Sequence, residues 1–402
     1  MSTGPGSQAS LREANTARVV ETVRTYGHIT QVELTAATGL SPATISNTVK
    51  RLVAEGVFRT QSTVHSGRRA QLVSLARQTG LLAGIQVGRR VLKIAISDPS
   101  LNIQRSKSLP LPLSHRADTT LDRAALLIVE LIEDLGANVD ELTAVGVCVA
   151  APVDPDTGMI SVAGILPGWE QVKIAAVLGD RLNRPVSVDN DANAAAIAEG
   201  RRGGLRGVKN GIYVCASYST GAGIIINGAL YRGARGIAGE IGHVQVEPTG
   251  LICTRGGRGC LNTVVGADVL VESLRLSRGY SSLSDVIREA KAGDIGCRQV
   301  VGDAGAQIGA VLADQLTSLA PSRIVVGGEL ASTGELLLNP MGDAIAGRPL
   351  LAGNVEIEVA SLHGESEVIG ALALAYDEQE QVNPMGASPE RAGDGTQRAV
   401  RL

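Results

Sequence analysis

Apolar residues follow two different spacings along the chain. Between residues 11 and 55 they recur every three or four positions, which predicts short helices. From Leu81 onward, short runs of Val, Ile, Leu and Ala typical of buried strands alternate with longer helical patterns, such as residues 118–136. The pattern therefore predicts a helical N-terminal module followed by a larger α/β body.

Within the module, the residues between the second and third predicted helices are typical of a helix-turn-helix. Gly39 suits a left-handed cap at the end of a helix over Gln31–Thr38. Ser41 suits the N-cap of a third helix over residues 42–55, with Pro42 at its first position. The spacing predicts that one face of this third helix is buried through Ile45, Val49, Leu52 and Val53.

The exposed faces of the module carry side chains suited to duplex DNA. Two strands, at residues 57–61 and 71–75, are predicted to flank a basic loop that forms a wing. The predicted contacts are Thr44, Ser46 and Asn47 for base edges, and Lys50, Arg51, Arg68 and Arg69 for phosphates. The alternative is a small three-helix domain that binds protein.

The body repeats its pattern. Strands over residues 81–87, 91–97, 102–109 and 142–149 are followed by a second round over residues 211–216, 223–226 and 323–326. Two similar halves with a cleft between them are expected. The predicted boundaries are 10–78 for the DNA-binding domain, 79–378 for the effector and oligomerisation domain, and 379–402 for a polar, disordered tail.

Composition and charge restrict the class of protein. The chain has 402 residues, is 44% hydrophobic, and contains no apolar run long enough to span a membrane and no apolar N-terminal signal. Five scattered cysteines do not form a disulfide framework, so a cytoplasmic protein is expected. Residues 1–80 carry a net charge of +5 and the remainder −8, which favours a nucleic-acid contact confined to one end.

Several motifs occur in a fixed order after the module. They are residues 188–194 (VDNDANA), 221–228 (GAGIIING), 239–243 (GEIGH) and 253–261 (CTRGGRGCL). With these motifs the chain resembles the ROK family of repressors, open reading frames and sugar kinases. The resemblance covers about residues 10–378 and implies a winged helix-turn-helix joined to a two-lobed, actin-like, sugar-kinase-like body. It also implies a homodimer or homotetramer.

The resemblance further implies a carbohydrate site. Asp191 matches the family's catalytic base, and Asn190, Glu240 and His243 match residues that contact sugar hydroxyls. Ile165 and Asn262 depart from the family pattern, where many relatives have Asn and Glu. The expected ligand is a carbohydrate or sugar phosphate effector, bound by Asn190, Asp191, Glu240 and His243.

Two other departures concern catalysis and metal. The family's phosphate hairpin, Asp-x-Gly-Gly-Thr, is replaced by residues 86–90 (QVGRR), so kinase activity is expected to be lost and Asp191 to be inactive as a base. The family's zinc site retains His243, Cys253 and Cys260, but Arg255 stands where relatives have the middle Cys. No cofactor and no tightly bound zinc are expected, although the three remaining ligands plus water leave residual zinc binding open.

These observations favour a sugar-responsive transcriptional regulator, a repressor of carbohydrate-related genes, which binds an operator in duplex DNA. The alternative is an ATP-dependent sugar kinase with an appended DNA-binding domain, which the hairpin at residues 86–90 argues against. A third possibility is a ligand-independent DNA-binding protein whose body mediates assembly. Stabilisation by a carbohydrate in a melting experiment would separate it from the first.

Overall fold

The N-terminal module is a winged helix. A computed structural model describes residues 8–382, except 27, 66–67, 76–79, 349 and 351–354. In chain order the module contains α1 (Gln8–Tyr26), β1 (His28–Thr30), α2 (Gln31–Thr38), α3 (Pro42–Ala54), β2 (Phe58–His65) and β3 (Arg68–Leu75). The strands form one antiparallel sheet in the order β1-β3-β2. The tip of the predicted wing, residues 66–67, lies outside the described residues.

The turn between α2 and α3 has the predicted caps. Gly39 has a φ of 68°, and its N–H donates to Thr35 O at 3.0 Å. The Ser41 hydroxyl accepts from Thr44 N at 3.2 Å, and Pro42 begins α3. The prediction for Val53 is wrong, because its side chain is 38% exposed. It follows buried Leu52 by one residue, and one residue turns the side chain by about 100° around a helix.

The first lobe of the body is a sheet with helices on both faces. Its elements are β4 (Leu81–Val87), β5 (Val91–Ser97), β6 (Ile103–Pro110), α4 (Ala117–Glu133), β7 (Leu142–Val149), α5 (Ile174–Leu182) and β8 (Val186–Asn190). The strand order is β6-β5-β4-β7-β8. The first three strands pair antiparallel, and β7 and β8 are added in parallel.

The second lobe repeats that topology. Its elements are α6 (Asp191–Arg202), β9 (Gly211–Ala216), β10 (Thr220–Ile226), β11 (Ala229–Tyr231), α7 (Asn262–Val265), α8 (Ala267–Arg278), α9 (Leu283–Ala292), α10 (Ile295–Leu319), β12 (Arg323–Gly327), α11 (Glu335–Ala346), β13 (Glu356–Val359) and α12 (Ser366–Val382). The strand order β11-β10-β9-β12-β13 matches that of the first lobe strand for strand. The two predicted halves are therefore confirmed. No helix in the described ranges is long and apolar enough to cross a membrane.

Helices α6 and α12 lie between the two sheets and touch them at backbone distance. A β-carbon added to Gly146 of β7 would collide with the carbonyl oxygen of Ala371 in α12. One added to Gly370 would collide with Ala194 of α6, and one added to Gly223 of β10 with Ala192. Small residues thus allow sheet, helix, helix and sheet to stack closely, which places the start of α6 at the floor of the interlobe cleft.

The C-terminal boundary of the body lies beyond the predicted position. Helix α12 continues to Val382, so residues 379–382 are helical and not part of a disordered tail. The Gln379 side chain accepts a hydrogen bond from Thr143 Oγ1 at 3.2 Å. Gln and Glu are good helix formers, and the helix-breaking signal comes only with Pro384. Residues 383–402 of the predicted tail lie outside the described residues.

Candidate ligand site and nucleic-acid surface

The turn from β8 into α6 places two of the predicted ligand residues. Asn190 is the N-cap of α6, and its Oδ1 accepts from Asn193 N at 3.1 Å. Its Nδ2 donates to Ala151 O at 3.2 Å and to Asp191 Oδ1 at 3.0 Å. Asn190, and not Asp191, caps this helix. The Asn190 amide is therefore largely engaged in holding the turn, which leaves Asp191 as the group facing the cleft.

A buried carboxylate beneath this turn makes it rigid. Asp189 Oδ1 accepts from Asn190 N at 2.7 Å and from Asn193 Nδ2 at 2.9 Å. Its Oδ2 accepts from Arg232 Nε at 2.8 Å. Asp189 is 3% exposed, so the ion pair with Arg232 compensates a charge that would otherwise be buried alone.

Asp191 is the first residue of α6, and its environment disfavours ionisation. Burial raises the pKa of Asp191 to about 7, and the carboxylate of Glu367 adds to the shift. Glu367, at the start of α12, was not predicted from the sequence; it is buried and accepts from Tyr213 Oη at 3.2 Å. The internal hydrogen bonds of Asp191 use Oδ1, from Ala192 N and Asn190. An acid poised near neutrality can either donate to or accept from a ligand hydroxyl.

Glu240 and His243 face Asp191 from the second lobe. Glu240 Oε2 lies 3.9 Å from His243 Nε2 and 3.9 Å from Arg255 Nη1. Burial raises the pKa of Glu240 to about 7, against the opposing effect of Arg255. Burial lowers the pKa of His243 to about 4, and the positive charges of Arg255 and Arg89 lower it further. His243 is therefore neutral at physiological pH, with one nitrogen able to donate and one able to accept.

The structure brings the predicted ligand residues into one pocket. The pocket is lined by the predicted set Asn190, Asp191, Glu240 and His243, together with Ile165, Thr220 and Asn262. Asn262, one of the two departures from the family pattern, accepts from Thr220 N at 2.7 Å and so shapes the backbone of the pocket wall. The hydroxyl of Thr220 is buried, with no hydrogen-bond partner among the described residues. Such a group is a further candidate for a ligand hydroxyl, and the sequence analysis missed it.

The neighbouring interlobe cleft has a volume of about 1060 Å³ and contains the altered hairpin. The turn is tight, because Gly88 N donates to Val91 O at 2.8 Å. Arg90 reaches across the cleft: its Nη2 donates to Asp268 Oδ1 at 2.7 Å, and its guanidinium lies 5.1 Å from the Tyr218 ring centre. Long cationic side chains thus occupy the part of the cleft where the family pattern has small residues.

The degenerate metal site is also assembled. The donor atoms of His243, Cys253 and Cys260 all lie within 4.8 Å of one another, with Cys253 Sγ 3.9 Å from His243 Nδ1. These donors suit three corners of a zinc tetrahedron. Arg255 offers no fourth donor, and its charge lies close enough to influence the pKa values of both thiols. The residues present therefore fit an open three-ligand site better than a closed structural one.

The predicted DNA-contacting residues differ in how far their side chains are exposed to solvent. On α3, Asn47 and Lys50 are exposed and Thr44 and Ser46 are half-buried. Arg51 is engaged within the module, because its guanidinium pairs with Glu55 at 2.9 Å and donates to Thr16 Oγ1 at 2.7 Å. Arg68 and Arg69 begin β3, but their side chains lie outside the described part of the structure.

Helix α6 also reaches the DNA-binding module. Ile197, in the middle of α6, belongs to the same apolar cluster as Val20 and Tyr26 of α1, and the two helices are in contact. The guanidinium of Arg206, just beyond α6, lies 3.9 Å from the centre of the Tyr26 ring. One helix of 12 residues, about 18 Å long, therefore connects the ligand pocket to the module.

The chain matches one family over most of its length. The sequence pattern of the ROK family matches residues 82–378, and that of a winged helix-turn-helix DNA-binding domain matches residues 14–59. The DNA-binding transcriptional dual regulator NagC of Escherichia coli is 28% identical over 390 residues, which cover 92% of this chain and 95% of that protein. The xylose repressor of Bacillus subtilis is 26% identical over 374 residues, covering 92% and 97%.

Solved structures resemble either the body or the whole chain. A ROK family glucokinase from Streptomyces griseus, solved with glucose and AMPPNP, gives a TM-score of 0.67 at 26% identity, covering 74% of this chain and all 100% of that one. A ROK family transcriptional regulator, a homologue of the Escherichia coli MLC protein, gives a TM-score of 0.69 at 22% identity, covering 91% and 98%. The latter likeness shows that the module and body together form a known fold.

The pKa of Asp191 predicts a pH-dependent stability. Ordinary Asp has a pKa of 3.8, whereas folding raises that of Asp191 to about 7. The folded state therefore holds a proton that the unfolded chain releases, and the ionised group opposes folding increasingly as pH rises through this window. We expect Asp191→Asn to unfold at a higher temperature than the wild type at pH 8, with a difference that shrinks towards pH 4.

Thermal unfolding of both proteins across pH 4–8 measures this difference. Asp156→Asn, which alters an exposed loop carboxylate, serves as the control and is expected to leave the curve unchanged. An Asp191→Asn advantage that is equal at both ends of the range would show that Asp191 ionises normally in the folded protein.

Proposed function

The chain belongs to the ROK family, and from that premise we propose that it is a sugar-responsive, DNA-binding transcriptional repressor of carbohydrate-related genes. The observation that carries the proposal is the helix α6, whose first residue lines the ligand pocket and whose later residues contact helix α1 of the winged helix. The relatives named as a repressor and as a transcriptional regulator support the same function.

The effector is a carbohydrate held by the pocket at the start of α6. Asp191, Glu240 and His243 offer donors and acceptors at close quarters, which is what recognition of neighbouring hydroxyls requires. The Thr220 hydroxyl adds a buried group with no hydrogen-bond partner among the described residues, which a ligand hydroxyl can pair with. Asn190 contributes less directly, because its amide already holds the turn.

The signal passes to DNA through the position of α6. A ligand that bridges Asp191, which directly follows strand β8 of the first lobe, and Glu240 of the second lobe favours a closed cleft. Closure shifts α6, which contacts α1, together with Arg206 just beyond its end, which stacks on Tyr26 of α1. The ligand therefore prefers one orientation of the module, and this preference couples carbohydrate and operator binding.

Coupling is tested with an operator selected from random duplexes. We expect the effector carbohydrate to change operator affinity by about 5- to 150-fold, the range of common coupling energies. Glu240→Ala is expected to abolish the change while retaining operator binding, because Glu240 lies in the body. Fluorescence anisotropy with and without ligand measures both.

Glu133→Ala, on the exposed end of α4, is the matched control and should respond as the wild type does. Operator affinity that no carbohydrate alters would favour a body that mediates assembly alone.

Phosphoryl transfer is not part of the proposed function. Gln86 replaces the carboxylate of the family's phosphate hairpin, and Arg89 and Arg90 replace its small residues. Backbone N–H groups can then no longer approach phosphate oxygens closely, and the charge that helps manage the metal is lost.

We therefore expect no release of ADP above background from ATP and a panel of hexoses, measured in a coupled assay. Release of ADP would be a real possibility on this fold, because the body resembles a ROK family glucokinase. Turnover that disappears in Asp191→Asn would identify the protein as a sugar kinase with an appended DNA-binding domain.

DNA binding rests on α3 and on the wing. Lys50 is exposed and has no ion-pair partner among the described residues, so it is the clearest candidate for a phosphate contact. Thr44, Ser46 and Asn47 are proposed to meet base edges, with Arg68 and Arg69 on phosphates. Arg51 is proposed mainly to hold α3 against α1, because it is paired internally. Two copies of the chain are proposed to bind a two-fold-related operator.

Salt dependence tests the role of Lys50. Replacing Lys50 by Ala is expected to reduce the slope of log affinity against log salt by about 0.9 for each phosphate that the side chain neutralises in the wild type. The slope is obtained by titrating the operator at several salt concentrations. Lys173→Ala, which removes an exposed charge from the body, is the control. A slope unchanged by Lys50→Ala would place this side chain outside the interface.

Zinc is proposed not to bind tightly. His243, Cys253 and Cys260 supply three donors, but Arg255 supplies a charge in place of the fourth. Protein purified without chelator is expected to contain well under one zinc per chain. The Arg255→Cys variant is expected to gain about one zinc per chain, because it completes four ligands.

Elemental analysis of both proteins provides the measurement. Arg258→Cys, which changes another arginine of the same loop, controls for an added thiol. Near-stoichiometric zinc in the wild type would show that water or an unforeseen side chain closes the site.

A further inference from the structure

Arg89 differs from the other basic residues that flank it in the interlobe cleft. Arg90 is paired with Asp268 at 2.7 Å, and Lys93 with Glu365 at 3.3 Å. Arg89 is half-buried and has no hydrogen-bond or ion-pair partner among the described residues. No Arg89 nitrogen is among the fully buried unpaired atoms of the described residues, so its donors reach the open space of the cleft and are free to bind a ligand. Its positive charge therefore suits an anion supplied from outside the chain.

The location of Arg89 ties it to the carbohydrate pocket. It lines a side cavity of about 220 Å³ together with His243 and Asn262, both of which also line that pocket. The remaining wall includes Ile165, Leu251 and Asp268, and the carboxylate of Asp268 is paired with Arg90. A ring held by Asp191 and His243 would thus direct a substituent into the side cavity, towards Arg89.

The carboxylates of the pocket do not cancel this positive charge. Glu240 has its own cation, Arg255, at 3.9 Å. Asp191 lies at the N-terminus of α6 and accepts from Ala192 N at 2.8 Å, so the helix dipole offsets it. Burial raises the pKa of Asp191 to about 7, which reduces its negative charge further at neutral pH. Arg89 therefore keeps a positive charge that no carboxylate of the described residues pairs with.

We propose that the effector is an anionic carbohydrate, whose carboxylate or phosphate group pairs with Arg89 while its hydroxyls meet Asp191, Glu240 and His243. This inference rests on the proposed function of the same pocket. A guanidinium suits either anion, because its parallel N–H groups match two oxygens at once. Neutral sugars would leave Arg89 unpaired, and amino sugars would place a second cation beside it.

Matched ligands that differ only in charge test the proposal. Binding to the full-length protein is measured by calorimetry for glucose, glucuronate and glucose 6-phosphate, and for galactose, galacturonate and galactose 6-phosphate. We expect at least one anionic member to bind about tenfold or more tightly than its neutral parent, as a charged hydrogen bond implies. The uronate and phosphate arms separate the two possible anions.

Two arginine variants complete the design. Arg89→Gln is expected to remove most of the preference for the anionic member and to leave the affinity for the neutral sugar within about threefold, since the substitution removes only the ion pair with the anion. Arg123→Gln, on the exposed face of α4, removes one positive charge outside the cleft and should keep the preference. Melting curves of both variants confirm that they are folded.

The outcomes distinguish this inference from the proposed function. A neutral sugar that binds as tightly as its anionic partners and shifts operator affinity would overturn the inference and leave the function intact. A preference that survives in Arg89→Gln would overturn the role of Arg89. The absence of any carbohydrate response, in binding and in operator affinity, would overturn both.

Discussion

The close approach of α6 and α12 between the two sheets is the constraint on which the rest of the structure depends. Gly146, Gly370 and Gly223 lie where a β-carbon would collide with the backbone of the next layer. The layers can therefore stack only with small residues between them, and the start of α6 is held against the cleft floor. Asp191 and Glu367 meet there because their helices start beside each other.

The same packing joins ligand and DNA. Helix α6 is packed at backbone contact on both faces, against β10 and against α12, and it carries both Asp191 and Ile197. There the apolar cluster shared with α1 and the stacking of Arg206 on Tyr26 link the body to the winged helix. These contacts are the structural basis of the coupling that we propose between the ligand pocket and the DNA-binding surface.

Changes of charge on a retained scaffold separate this chain from the kinases that it resembles. Arg89 and Arg90 occupy the cleft where phosphate would need close backbone contact, and Arg90 ties the lobes together through Asp268. Arg255 places a guanidinium beside Glu240, in a loop where the family pattern has a zinc ligand. In each case a long cation stands where the family pattern has a small or ligating residue.

The sequence alone determined the winged helix and the repeated pattern of the two halves of the body. Its resemblance to the ROK family grouped Asn190, Asp191, Glu240 and His243 as one candidate site. Caps such as Gly39 and Ser41 act between neighbours in the chain, so their effect is readable there. Only the tertiary structure decided that Arg51 is engaged with Thr16 and that Glu367 and Thr220 lie beside Asp191 and Glu240 at the site. These outcomes depend on contacts and burial between residues far apart in the chain, which no local pattern encodes.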